Sequence, residues 1–461
     1  MTTITIGSNI VLECDHSEII ELCVKDNTFA NPQFLSNEAN GRSNSKTERT
    51  ITTFRYEAGC LVLPRGFMQS LLWMLRERGV DKQIIDQRIS RPCQYPYGLN
   101  GIILRDYQIQ AVCDAMRYDQ GLITSPTGSG KSLIGLEIIR KRGEKALIIV
   151  HRKELANQWL GVIKERLGLI AGFIGDGEWS VGEEITVALI QSLAAQEERT
   201  KELSWGFGLV LVDEGHHIPS DQFFSVLGLM KAKYRYSLSA TPHRRDGLEA
   251  IIYRATGPDI SHILREEVEE CGAIVPATVR AIDTHFNPGP VGSWHEYLDA
   301  IGENAARNIL IIDLAQQSDG PTLVLVDRID HATQLSKMLT RREIDHVLAH
   351  GQLKKVDREG LMDRIKQSKI TIGTTGLLGE GIDVPSWSNL IMASPISSEI
   401  KLLQAVGRVI RPGFMKENAL IYDLRDDCGF SGASFNKRFK IYKKNRIWVE
   451  FDSERKKSRQ L

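Results

Sequence analysis

The stretch Ser125-Pro-Thr-Gly-Ser-Gly-Lys-Ser132 lies between an apolar strand pattern, Gly121-Leu-Ile-Thr124, and a helical one, Leu133-Ile-Gly-Leu-Glu-Ile-Ile139. A glycine-rich turn that leaves a buried strand and opens a helix aims backbone N–H groups at an anion. Here Pro126, Thr127, Gly128, Ser129 and Gly130 form the cradle, Lys131 reaches the β- and γ-phosphates, and Ser132 is placed to ligate Mg²⁺. Ser125 stands where the strict G-x-x-x-x-G-K-[ST] form has its first glycine, so partner motifs carry weight. Val210-Leu-Val-Asp-Glu-Gly-His216 supplies one. It is a buried strand ending in adjacent carboxylates, Asp213 for the metal and Glu214 for orienting or deprotonating water. The ordered pair points to hydrolysis of a nucleoside triphosphate.

Working outward, strand candidates alternate with helical patterns from Gly101 to Cys271: Leu122–Thr124, Ala146–Val150, Ile185–Leu189, Leu209–Val212 and Tyr236–Ser239. Short apolar, β-branched strands of this kind suggest a parallel sheet covered on both faces. A second alternating block carries Thr322–Val326, His346–His350, Ile370–Thr374, Leu390–Ala393 and Ala419–Asp423. It has no phosphate loop of the first kind, so one site serves two similar sheets.

The first hundred residues read as a small α+β module. Its strands are Thr2–Ile6 and Ile10–Glu13, its first helix Ser17–Val24, and the polar run Ser36–Ser45 reads as a loop. Thr52–Tyr56 and Cys60–Leu63 pair as a hairpin, and Pro64 opens a helix to Arg78. Arg65 and Lys46 could meet duplex DNA there, although a structural hairpin and helix is the default. Ser90–Asn100 reads as a linker. The expected divisions are 1–100, an accessory domain; 101–273 and 274–430, the two sheet domains; and 431–461, a basic helix and tail.

The bulk numbers agree with a multidomain globular protein. A chain of 461 residues suggests about three domains. Hydrophobic residues make up 42% and charged ones 25%, with Lys+Arg and Asp+Glu both at 58. The balanced charge excludes a global basic signal, so any nucleic-acid site is local. Seven dispersed cysteines without C-x-x-C read as reduced thiols, not as a disulfide frame or zinc site. No apolar run approaches the roughly twenty residues of a membrane span, and the expected location is the cytoplasm.

Gln404-Ala-Val-Gly-Arg-Val-Ile-Arg411 sets Gln404, Gly407, Arg408 and Arg411 on one stripe if helical. Two arginine forks suit the charge spread over a transferred phosphoryl group. The plainer alternative is a solvated basic face.

At this point the chain resembles the superfamily 2 helicases and translocases, over 101–425 and in the expected order. Leu104-Arg-Asp-Tyr-Gln108 looks like the adenine-reading element, and Val150–Trp159 is similar to motif Ia. Leu189-Ile-Gln-Ser-Leu193 fits the next nucleic-acid motif, and Asp213-Glu-Gly-His216 is a D-E-x-H motif II. Ser239-Ala-Thr241 fits motif III, Thr374–Pro385 motif V, and Gln404–Arg411 motif VI. The resemblance is closest to XPB-type and phage-encoded repair and branch-migration helicases. The R-E-D element of XPB-type proteins is matched only by Arg244-Arg245-Asp246, without its glutamate.

The resemblance implies two tandem RecA-like domains, an α/β fold with parallel sheets, beside the small α+β module and a short basic C-terminal helical extension. It implies ATP and Mg²⁺, with Arg105 and Gln108 reading adenine and Gly381 and Asp383 contacting the nucleotide. His216, Ser239 and Thr241 would couple hydrolysis to movement. Arg152, Ser192, Thr374 and Thr375 would touch nucleic-acid phosphates, a kind of contact that does not read sequence. The track it implies is DNA travelled 3′→5′ by a monomer, in repair, recombination or phage replication, on branched, forked or duplex substrates. An RNA helicase, a duplex translocase of a restriction or defence system, and a nucleotide-gated binding module are the rivals.

The helix Lys437–Arg446 carries a basic face. Phe435, Phe439 and Tyr442 form a stripe on it better suited to docking on the second sheet than to stacking bases.

Overall fold

The computed structural model describes residues 2–240, 247–352, 360–378, 387–413 and 416–451. Thr241, Gly381, Asp383 and the Arg244-Arg245-Asp246 element lie outside them. The chain divides into two compact units, Met1–Pro126 with Gly130–Leu264, and Arg265–Leu461 with Thr127–Ser129.

The first unit holds an eight-stranded sheet. Its strand order is Glu178–Trp179, Gly172–Gly175, Ile185–Leu189, Ala146–Val150, Leu209–Asp213, Tyr234–Ser239, Gln120–Thr124 and Asp259–His262. Every pairing is parallel except that of the terminal two-residue strand. The three strands Ala146–Val150, Ile185–Leu189 and Leu209–Asp213 are buried at every position, which is why they read as continuous apolar runs and not as alternating ones. Asp259–His262 escapes such a reading because only one of its four residues is buried.

The first eighty-odd residues build a second sheet in the same unit, ordered Arg55–Glu57, Cys60–Pro64, Asn9–Glu13, Thr2–Ile6 and Lys82–Asp86. The hairpin turns at Ala58-Gly59, both with positive φ. Helices Ser17–Asp26 and Met68–Glu77 supply Ile19, Leu71 and Leu75 to its core beside Ile4, Ile10 and Leu63. The polar run expected as a loop begins inside a helix, Pro32–Ala39. Pro32 fits the first helical turn, and the Asn31 side chain accepts from the N–H of Gln33 at 3.0 Å.

This module is bolted to the large sheet. The Arg65 guanidinium, 1% exposed, donates to Gln120 Oε1 at 2.7 Å and to the carbonyls of Ala232 at 2.5 Å and Lys233 at 3.1 Å. Gln120 returns a bond to the Arg65 carbonyl at 2.9 Å. A side chain on Gly66 would meet the Tyr253 carbonyl at 2.1 Å, so only glycine allows the approach. Arg65 is therefore not available to DNA. The Ser90–Asn100 stretch is likewise pinned: Ser90 Oγ and the Arg91 N–H donate to the buried Glu144 carboxylate, and Tyr95 Oη donates to the Glu144 carbonyl at 2.9 Å.

The second unit is a seven-stranded, all-parallel sheet ordered Val347–Ala349, Ile370–Thr374, Thr322–Val326, Asn389–Met392, Ala419–Arg425, Ala277–Asp283 and Trp448–Phe451. Helix Gly429–Lys444 lies against it, with Phe435 and Tyr442 buried. Arg438 of that helix is not a solvated charge. It grips Asp423 with two bonds at 2.8 and 2.7 Å, and Tyr442 Oη donates to the same carboxylate at 2.9 Å. The chain after the helix adds the edge strand Trp448–Phe451, an element absent from the sequence reading.

Candidate active site

Gln120–Thr124 runs into the loop, and helix Lys131–Arg142 begins behind Gly130. No side chain caps this helix at Gly130, whose φ is +82°. Gln108 explains the glycine: a Cβ at Gly130 would stand 2.5 Å from Gln108 Nε2. Gln108 is 2% exposed, and its Oε1 accepts from the Arg105 N–H at 2.9 Å. The adenine-reading candidate therefore sits at the phosphate loop, whereas Arg105 is exposed at the mouth of its helix. Lys131 Nζ reaches back to the Ser125 carbonyl at 3.5 Å, and Ser125 donates its N–H to the carbonyl of Ser239 at 2.9 Å. That bond ties the loop to the last residue of the strand carrying the motif III candidate. Ser125 is fully buried, so serine at this position is part of the packed loop.

Asp213 and Glu214 come from the end of strand Leu209–Asp213, which is separated from Gln120–Thr124 by Tyr234–Ser239. Asp213 is 6% exposed. Its Oδ2 accepts from Trp159 Nε1 at 2.9 Å and its Oδ1 from the Glu214 N–H at 2.9 Å. Glu214 has φ +53°, a left-handed backbone that non-glycine residues rarely adopt. Its Oε2 lies 3.2 Å from His216 Nδ1. Burial and then the Glu214 charge push the Asp213 carboxyl above its ordinary range, against the indole N–H and the Lys131 ammonium. Burial would raise Glu214 too, but Lys131 and His216 outweigh it and hold the carboxyl down at about 2. Of the two, Glu214 is the one whose neighbours favour the charged form.

Two buried, adjacent carboxylates, one of them forced upward, describe a place that gains from a cation. Among the described residues no group of three or more His, Cys, Asp or Glu could hold a metal ion. Mg²⁺ bound with a triphosphate takes one or two protein ligands and completes its shell with phosphate oxygens and water. Asp213 and Ser132 fit that role.

Arg152 directly precedes helix Lys153–Leu167 without a side-chain cap, and Ser192 lies on helix Ile190–Ala195; both are half-buried. They follow strands paired through Val150 and Leu189, so their neighbourhood is decided by the sheet. In the second unit, Thr374 ends the strand Ile370–Thr374 and is 7% exposed, and Thr375 Oγ1 donates to Asp327 Oδ1 at 3.3 Å. Helix Glu399–Val409 buries Gln404, 7% exposed, and carries the half-buried Arg408. It stops before Arg411, so the expected four-residue stripe is broken there. The Ile410 carbonyl instead accepts from the Val275 N–H at 2.7 Å. Burial draws the Arg411 guanidinium below its ordinary pKa.

Trp159, which reaches the metal-candidate carboxylate from 54 positions away, had no role in the sequence reading. Its position on the apolar face of a helix is shared by any core tryptophan.

Residues 101–244 match the model described as "Type III restriction enzyme, res subunit", and 304–413 match "Helicase conserved C-terminal domain". The chain is 25% identical over 388 residues to "Probable helicase D10" of Escherichia phage T5, covering 81% of this chain and 82% of that protein. The chain is a superfamily 2 helicase. This helicase is also 24% identical over 383 residues to the "DNA 3'-5' translocase XPB2" of Sulfurisphaera tokodaii, covering 73% of this chain and 85% of that one. Its fold is like that of S. cerevisiae Dbp5 bound to RNA and ADP BeF3, at TM-score 0.54 and 16% identity, over 77% of this chain and 92% of the other. As a member of this group it is an ATP-hydrolysing nucleic-acid helicase with parallel-sheet, RecA-like domains. Among the described residues, no helix is long and apolar enough to cross a membrane.

Proposed function

We propose that this helicase is an ATP-driven DNA motor that travels 3′→5′ and remodels branched or forked DNA. One observation carries the reading. In the first unit, the hydrolytic carboxylates and the phosphate-contact candidates leave neighbouring strands, because Leu209–Asp213 pairs with Ala146–Val150, which pairs with Ile185–Leu189. ATP chemistry and a backbone grip on nucleic acid would thereby share the C-terminal ends of three adjoining central strands. Lys131 and Ser132 would hold the triphosphate and its Mg²⁺, and Glu214, ionised, would orient or deprotonate water. Arg408 and Arg411 would meet the charge developing on the transferred phosphoryl group, with Gln404 beside them. Thr374 and Thr375 would add hydroxyl contacts to phosphates. DNA and the polarity are supported by the name of the archaeal relative.

ATPase rates with duplex DNA, single-stranded DNA and RNA test the track, and unwinding of forks, Holliday junctions and tailed duplexes tests the substrate. Stimulation by RNA alone would overturn the reading. A second reading, duplex translocation without strand separation, is favoured by the restriction-subunit description of the first family model. Translocation on duplex without unwinding any of the three substrates would select it.

A further inference from the structure

We propose that His217 is a positioning residue that links the nucleic-acid end of the first sheet to the catalytic Glu214. The inference rests on the proposed grip on nucleic acid. Strands Ala146–Val150 and Leu209–Asp213 are neighbours, with Ile149 opposite Val212, so the residues leaving their ends meet. The His151 ring lies 4.0 Å from the His217 ring, tilted 40°, and the His217 ring lies 4.2 Å from that of His216, tilted 38°. His216 Nδ1 then stands 3.2 Å from Glu214 Oε2. On the other side, Gln191 Nε2 donates to the His151 carbonyl at 3.0 Å. A continuous line of contacts thus runs from Gln191 and His151, beside the phosphate-contact candidates Ser192 and Arg152, to the carboxylate.

The geometry gives the line a purpose. Three packed rings transmit a displacement because close-packed groups move together and have little void to absorb the shift. The far end is a residue already held at φ +53°, where a small backbone adjustment re-aims the side chain. Phosphate contact at Arg152 would shift His151, and the stack would carry that shift to Glu214. His217 stands between the two, in ring contact with both His151 and His216. Coupling between sites is commonly worth a factor of about 5 to 150.

The test is the ratio of DNA-stimulated to basal ATPase in His217→Ala and His217→Phe, with DNA affinity measured in both. Loss of at least about tenfold of that ratio is expected in the alanine variant, with DNA affinity preserved. The phenylalanine variant, which restores a ring at the centre of the stack, is expected to recover most of it. His217→Ala with wild-type stimulation overturns the proposal, and so does equal loss in both variants. Should the alanine variant fail to fold, His151→Ala decides: retained stimulation there breaks the line at its other ring. A wild-type enzyme that ignores nucleic acid would refute the proposed function itself, an outcome distinct from these.

Discussion

Trp159 Nε1 donates to Asp213 Oδ2 at 2.9 Å, and both side chains are buried. A helix belonging to the motif Ia segment thereby orients the carboxylate assigned to the cation. Trp159→Phe keeps most of the packing and removes the donor. It should lower kcat about tenfold and stability by about 1–3 kcal/mol, the range for an abandoned buried partner. Steady-state kinetics and urea melts check both, and an unchanged kcat would leave Trp159 as core alone.

Glu214→Gln should bind ATP with near-normal affinity while turnover falls at least about a hundredfold, since the amide cannot accept a proton from water. Arg411→Ala should reduce kcat by about a thousandfold, in the range for a transition-state arginine, with DNA affinity changed little. Nucleotide-binding titrations beside ATPase rates separate the two effects, and normal rates in both would remove the assigned roles.

Arg65→Ala strands the carbonyls of Ala232 and Lys233 and the Gln120 amide oxygen. A loss of about 3 kcal/mol is expected, because several buried acceptors go unmet at once. Arg65→Lys should recover little, since an ammonium cannot reproduce the planar fork. Calorimetry measures the loss, and DNA binding in the folded fraction should be unaffected.

His331 sits in the second unit, 3% exposed, with Nε2 2.9 Å from Asn308 Oδ1. Burial first, then the nearby Arg307 charge, holds its pKa down at about 3 from 6.5. The unfolded chain therefore takes up a proton below pH 6.5 that the folded chain refuses until near pH 3. Stability should fall through that window by up to about 1.4 kcal/mol per pH unit from this group. Denaturation at pH 7.5, 6 and 5 should show a shallower slope in His331→Gln than in the wild type.

The reading of parallel sheets from apolar runs succeeded where strands are buried on both faces, as at Ala146–Val150 and Leu209–Asp213. It missed Asp259–His262, Lys82–Asp86 and Trp448–Phe451, whose residues are mostly exposed, and also Gly172–Gly175 and Ala277–Asp283, which have buried positions but no continuous apolar run. It also left Arg438 unremarked within the basic stretch Lys437–Arg446, because nothing near it in the chain announces Asp423, 15 positions away. The helix ending before Arg411 was not readable either. The i, i+3, i+4, i+7 spacing states which residues would share a face, not where the helix stops.

By itself the sequence determined the chemistry on offer: a phosphate loop, an acidic pair and an arginine segment, in an order that belongs to superfamily 2 helicases. These are local patterns, since the loop conformation and the strand ends that present them are set by residues a few positions apart. Only the tertiary structure decided what surrounds that chemistry. Trp159 on Asp213, Gln108 over Gly130, the His151–His217–His216 stack and the Arg65 clasp all join segments distant in the chain. Sheet register and burial bring them together, and neither is written in the spacing of neighbouring residues.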